Sequence, residues 1–144
     1  MMMARTGKVW LIGAGPGDVE LLTLKAVRAL GDADVVLIDD LVNREVLKFA
    51  KPGIRLVEVG KRGDCRSTPQ IFIEHKLVQL ARQGLTVARV KGGDPYVFGR
   101  GGEEAETLTR AGVTVEVVNG ITAGIGVPAS LGIPVTHRDI CRGV

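Results

Sequence analysis

Aromatic side chains are scarce in this 144-residue sequence, at 3% of the total, with Trp10 and Tyr96 the single members of their kinds. Proteins that stack single-stranded nucleic acid need successive aromatic platforms, so a nucleic-acid partner is not expected. The net charge of +3 is mild and forms no long basic stripe, which points the same way. Cysteine is equally rare: Cys65 and Cys141 lie far apart and outside any CxxC pattern, which fits a reducing compartment and argues against a disulfide framework. His75 has no partner one helical turn away and His137 stands alone, so no metal site is expected. No long apolar run follows Met1–Thr6, so neither a signal peptide nor a membrane span is expected, and cytoplasm is the expected location. Internal repeats and low-complexity linkers are lacking too, and 144 residues are one domain by size, enough to bury roughly two-thirds of the unfolded surface.

What the chain does have is a set of glycine-rich loops, and the richest is Val90 to Glu104. Thr86 to Val90 reads as a β-branched strand before it, and Glu103 to Ala111 as a helix after it, stopped by Gly112. Between them lie five glycines, one proline, one carboxylate (Asp94) and two cations (Lys91 and Arg100). Glycine lets a ligand press against bare backbone, and in open α/β sheets the loops at the carboxyl ends of strands bind ligands.

The remaining elements follow the same rhythm. Lys8 to Ile12 is a strand running into Gly13-Ala14-Gly15-Pro16-Gly17-Asp18, and the next helix, capped by Thr23 or Asp18, has Leu22, Ala26, Ala29 and Leu30 on one face. Asp34 to Ile38 is the second strand, ending at Asp39-Asp40. Asn43 caps a short helix carrying Val46, Leu47 and Ala50, and Ile54 to Val59 is the third strand, leading to Gly60-Lys61-Arg62-Gly63. Thr68-Pro69 opens a helix whose stripe is Ile73, Leu77, Leu80 and Ala81. Thr114 to Val118 is a fifth strand before Asn119-Gly120 and a small-residue helix through Ala129. Strands alternating with helices predict an α/β fold: a five-stranded, mainly parallel sheet with helices on both faces. The apolar strands suit burial on both faces, and the loops after strands one, three, four and five share one edge.

The Gly13–Asp18 loop invites a dinucleotide-binding reading, with Asp39 as the ribose acid roughly 20 residues on. It fails in detail: the third fingerprint glycine would fall at Asp18, and Pro16 removes an amide that a phosphate would use. No GK[ST] follows a glycine-rich loop, so a P-loop is excluded. The cations Lys61, Arg62, Arg66, Lys91, Arg100 and Arg138 fall in or beside the ligand-edge loops. Loop solvation accounts for any one of them, whereas together they make a bowl for a polyanion. Glu103 and Glu104 are read as helix-start acids favoured by the macrodipole. Asp39 and Lys61 end successive strands, as a surface ion pair or as a proton-handling pair in a cleft.

Taken together, residues 9–18 (Val-Trp-Leu-Ile-Gly-Ala-Gly-Pro-Gly-Asp), 33–39 (Ala-Asp-Val-Val-Leu-Ile-Asp), 60–63 (Gly-Lys-Arg-Gly), 91–104 (Lys-Gly-Gly-Asp-Pro-Tyr-Val-Phe-Gly-Arg-Gly-Gly-Glu-Glu) and 132–138 (Gly-Ile-Pro-Val-Thr-His-Arg) resemble the tetrapyrrole methylases over nearly the whole chain. The resemblance implies a two-domain enzyme, usually a homodimer, that uses S-adenosylmethionine to methylate uroporphyrinogen III to precorrin-2, on the way to sirohaem and cobalamin. By resemblance, Pro16, Gly92, Gly93, Asp94, Val97, Thr122 and Ala123 would contact S-adenosylmethionine, Asp39 would accept a proton and Lys61 donate one, and Arg100 and Arg138 would meet the carboxylates of the polycarboxylate tetrapyrrole. No metal is implied. Many relatives have Pro-Gly where this chain has Asn119-Gly120; either pair supports a tight turn. Residues 1–136 would be the amino-terminal domain and 137–144 the start of a linker to a second domain, so that this polypeptide is expected to be an amino-terminal fragment unable to complete methyl transfer alone. The competing expectations are a nicotinamide-binding (NAD) module of a sirohaem-pathway dehydrogenase, a methylase of the same fold acting on another substrate such as RNA or protein, and a non-enzymatic domain retaining only dimerisation.

Overall fold

The computed structural model describes residues 5–60 and 68–144. In chain order its elements are β1 (Lys8–Gly13), α1 (Leu24–Asp32), β2 (Val35–Ile38), β3 (Arg55–Glu58), α2 (Gln70–Arg82), β4 (Thr86–Lys91), α3 (Gly101–Arg110), β5 (Thr114–Val118) and α4 (Ala123–Ser130). Short 3-10 segments cover Val19–Leu21 and Arg44–Phe49. The five strands form one sheet in the order β3-β2-β4-β1-β5, and every neighbouring pair is parallel. The expected five-stranded α/β fold is what is found.

A parallel sheet must be covered on both faces, and alternate side chains of each strand serve the two layers. Trp10, Ile12, Val36, Ile38, Ala88 and Val90 pack with Ala26, Ala29 and Leu30 of α1 and Val46 of the second 3-10 segment. Val9, Leu11, Val35, Leu37 and Val87 pack with Ile73, Leu77, Leu80 and Ala81 of α2 and Leu108 of α3. The stripe expected for α2 is therefore the buried one. Three local features differ from the sequence reading. Asp18 and Thr23 both act as caps, Asp18 accepting from the Glu20 amide at 2.9 Å and Thr23 from the Ala26 amide at 3.0 Å, because a 3-10 turn precedes the helix proper. Asn43 does cap, but the segment behind it is a 3-10 helix. Thr68 does not cap α2: Pro69 stands at the N-cap, with no side-chain bond to the first turn.

Asp34, just ahead of β2, stitches the sheet's amino-terminal end. Its Oδ2 accepts from the Thr86 amide at 2.8 Å and its Oδ1 meets Lys51 Nζ at 3.2 Å. The amide bond, chiefly, holds the carboxyl below its usual range; burial opposes it, and Lys51 adds to the lowering. A carboxylate with a depressed folded pKa stabilises above its unfolded value of about 3.9 and loses that contribution as pH falls through the folded value. Because the side chain is 42% exposed, solvent screens the effect. Asp34→Asn is expected to cost about 0.5–1 kcal/mol in urea melts at pH 7 and almost nothing at pH 2.

Candidate active site

Strands β1 and β4 are neighbours, yet the chain leaves β1 for α1 on one face and β4 for α3 on the other. That divergence opens a crevice at the carboxyl ends of the strands, the place where ligands bind in open α/β sheets. A cavity of about 870 Å3 fills it, within the roughly 300–1,000 Å3 usual for small-molecule sites. The loops after all five strands contribute to its wall, including the one after β2, Asp39–Asn43, beyond the four expected.

Bare backbone holds these loops together. Gly15 and Gly93 exchange two main-chain hydrogen bonds, at 3.1 and 2.9 Å, joining the β1 and β4 loops. Gly13, Gly93 and Gly120 meet so closely that a Cβ on Gly13 would lie 2.6 Å from the Gly93 carbonyl oxygen and 2.7 Å from the Gly120 nitrogen. Asp94 completes the junction. Its Oδ1 accepts from the Tyr96 amide at 2.9 Å, and its Oδ2 accepts from the Gly120 amide at 3.1 Å and from Asn119 Nδ2 at 3.3 Å. Asp94→Ala removes the acceptor from three donors and is expected to cost about 2–3 kcal/mol, with Asp94→Asn intermediate, checked by thermal melts. Beyond Asp94 the chain is strained: Phe98 and Arg100 take φ of 51° and 56°, left-handed conformations that cost of order 1–3 kcal/mol each in non-glycine residues. Gly99 and Gly101 pay out no such strain and let the loop close onto Pro95, whose carbonyl accepts from the Gly101 amide at 3.0 Å.

Along one side of the cavity runs a buried charge network. Arg89, 1% exposed in the central strand, meets Asp39 through Nη1 at 2.8 Å and Glu104 through Nε and Nη2 at 3.2 Å each. Lys91, two residues on and on the same face, reaches Glu104 at 3.1 Å and lies 4.0 Å from Asp39. Gln70 at the start of α2 also donates to Glu104 Oε1, at 3.1 Å. Burial, chiefly, and then the Arg89 charge lower the Lys91 pKa, against the opposing pull of Glu104 and Asp39. Glu104 does stand in the first turn of α3, as the sequence reading expected of a helix-start acid, and it is also a buried anchor on the inner face of that helix. Its neighbour Glu103 points outward and pairs with Arg100 at 2.8 and 3.1 Å.

Pro16, Gly92, Gly93, Val97, Thr122 and Ala123 all line the one cavity, and Asp39 and Arg100 line it with them. Asp94 and Arg138 do not: the Asp94 carboxylate is turned to the backbone beneath, and Arg138 is exposed in the closing His137–Cys141 turn. Lys61, Arg62 and Arg66 lie outside the described residues. Sequence reading passed over Arg89, Gln70 and the inward role of Glu104. An arginine at the centre of Thr-Val-Ala-Arg-Val-Lys was the available signal, since a cation on the core-facing side of a strand needs a buried acid. The dinucleotide reading loses ground, because the Asp18 carboxylate occupies the Glu20 amide, where a pyrophosphate would have to sit. Among the described residues no group of three or more His, Cys, Asp or Glu side chains is placed to hold a metal, and no helix is long and apolar enough to cross a membrane.

Fold and site together define an α/β domain built to hold a small molecule against glycine backbone at the carboxyl edge of its sheet. Residues 8–144 match the tetrapyrrole (corrin/porphyrin) methylases, and the chain belongs to that family. The uroporphyrinogen-III C-methyltransferase of Pseudomonas aeruginosa is 64% identical over 139 residues, covering 96% of this chain and 56% of that protein. Among solved structures, the uroporphyrin-III-C-methyltransferase of Thermus thermophilus is 52% identical with a TM-score of 0.85, over 96% of this chain and 58% of that one. A second structure of the Thermus thermophilus protein, complexed with S-adenyl homocysteine, is 52% identical with a TM-score of 0.77, over 95% of this chain and 53% of that one. The chain spans about half the length of the curated relatives it matches.

Proposed function

We propose that this chain forms the amino-terminal part, residues 1–136, of a cytoplasmic, homodimeric S-adenosylmethionine-dependent methyltransferase that converts uroporphyrinogen III to precorrin-2. The observation that carries the reading is the convergence of the β1, β4 and β5 loops on one cavity that also presents a carboxylate, Asp39. The cavity fits the cofactor on its own chemistry. A Cβ on Gly92 would meet nothing within 4 Å, so bare main chain faces the space there, and Val97 and Ala123 add apolar wall.

When bound, S-adenosylmethionine supplies a methyl group on a sulfonium, which needs no further activation. The work left to this chain is alignment and proton handling. Pro16, Gly92, Gly93, Val97, Thr122 and Ala123 hold the donor, with Asp94 fixing the loops that carry them. Asp39, whose side chain is 30% exposed at the cavity, accepts the proton that the ring carbon loses. Lys61 acts as donor, and Arg100, at the cavity, meets the substrate's carboxylates, with Arg138 outside the cavity lining as a second candidate for them.

Calorimetry with S-adenosylhomocysteine and NAD side by side tests the cofactor, and precorrin-2 formation by the native full-length gene product tests the reaction. Binding of the homocysteine product without NAD, and transfer of two methyl groups, are the expected results. Heat from NAD alone would overturn the reading.

A further inference from the structure

We propose that Arg89 is a positioning residue for Asp39, itself locked by Glu104, and that this buried pair orients the Asp39 carboxylate at the cavity by tethering one of its oxygens. The inference rests on the proposed methyl transfer with Asp39 as proton acceptor.

The geometry divides the Arg89 guanidinium between two acids. Nε and Nη2 both go to Glu104 Oε1 at 3.2 Å, which fixes the plane of the fork from the α3 side. Nη1 donates weakly to the Val90 carbonyl at 3.4 Å and forms an ion pair with Asp39 Oδ1 at 2.8 Å. The other oxygen, Oδ2, has its nearest cation, Lys91 Nζ, at 4.0 Å, beyond hydrogen-bond reach. One carboxylate oxygen is therefore held closely, and among the described residues Oδ2 has only the longer ion pair with Lys91, which leaves it able to accept a proton.

Glu104 is built for anchoring rather than for contact with a ligand. It is fully buried, lies outside the cavity lining, and accepts on Oε1 from Arg89, Lys91 and Gln70. Its Oε2 is buried with no donor in reach among the described residues. Buried ion pairs replaced by apolar side chains of similar size often leave stability unchanged or raised, so stability alone does not call for such a set. Arg89 and Asp39 nevertheless stand side by side for a plain reason of register. Leu37 pairs with Arg89 across β2 and β4, and Asp39, two residues further, points to the same face.

The test uses the native full-length gene product and two variants. The double variant Arg89→Met with Glu104→Leu removes one cation and one anion together, leaving Lys91 and Asp39 as the remaining opposite charges, and Arg89→Lys keeps a cation but loses the fork. For both, kcat is expected to fall roughly 10- to 100-fold, as for a displaced general base, while the Kd for S-adenosylhomocysteine stays within about twofold. The double variant is also expected to melt near the parent temperature. Wild-type kcat in either folded variant would overturn the inference and make the pair purely structural. An equal loss of cofactor affinity and turnover would overturn it too, since the pair would then shape the whole cavity. If the parent itself transfers no methyl group, it is the proposed function that fails.

Discussion

Replacing Gly120 by alanine is expected to lower stability by about 3 kcal/mol or more, a fall of roughly 10 °C in melting temperature, and to abolish cofactor binding with it. The added Cβ would overlap the Gly93 carbonyl oxygen and lie 2.8 Å from the Gly13 carbonyl carbon. Both are main-chain atoms, so no rotamer change relieves the clash. The Gly93 carbonyl also accepts from the Gly15 amide at 3.1 Å, and the Gly120 amide donates to Asp94. Moving Gly120 outward therefore breaks the junction of three loops at once. Gly92→Ala makes the contrasting case. Its Cβ would meet no protein atom within 4 Å and would project where the cavity is lined. Thermal melts should place that variant within about 0.5 kcal/mol of the parent, while calorimetry should show its affinity for S-adenosylhomocysteine cut by tenfold or more. If Gly92→Ala binds as the parent does, Gly92 does not face the cofactor.

Glu104→Gln is expected to cost about 3–5 kcal/mol, because it leaves Arg89 and Lys91, both buried, to share the single carboxylate of Asp39. The shape of the side chain hardly changes, so the loss reads charge rather than packing. Its pH dependence has a definite sign. Burial already lowers the Lys91 pKa, and losing Glu104 removes an opposing influence. A lysine with a depressed folded pKa binds more protons unfolded than folded in the interval below its unfolded value of about 10.4, so stability rises with pH there. The deficit of Glu104→Gln should shrink as urea melts are moved from pH 7 toward about pH 10. Glu103→Gln, one residue away on an exposed pair, should leave the melting temperature unchanged.

The elements were largely legible because their signals are local. The stripe of α2, the glycine stops after α2 and α3, and the β-branched strand runs are set by residues a few positions apart. The errors were local as well. A proline at the α2 N-cap and a 3-10 turn ahead of α1 are differences of one or two hydrogen bonds, beyond what residue preference resolves.

The sequence by itself determined the class of fold, the order of its strands along the chain, and the loops that carry the ligand chemistry, since glycine, proline and alternating apolar residues act through their own backbone preferences. Only tertiary structure decided the lateral order β3-β2-β4-β1-β5, and with it which loops become neighbours. That order inserts β4 between β1 and β2, places Arg89 beside Asp39, and turns Glu104 inward to meet them. Charge partners separated by 15 to 50 residues leave no periodic trace, because their attraction depends on distance in space after the sheet has assembled.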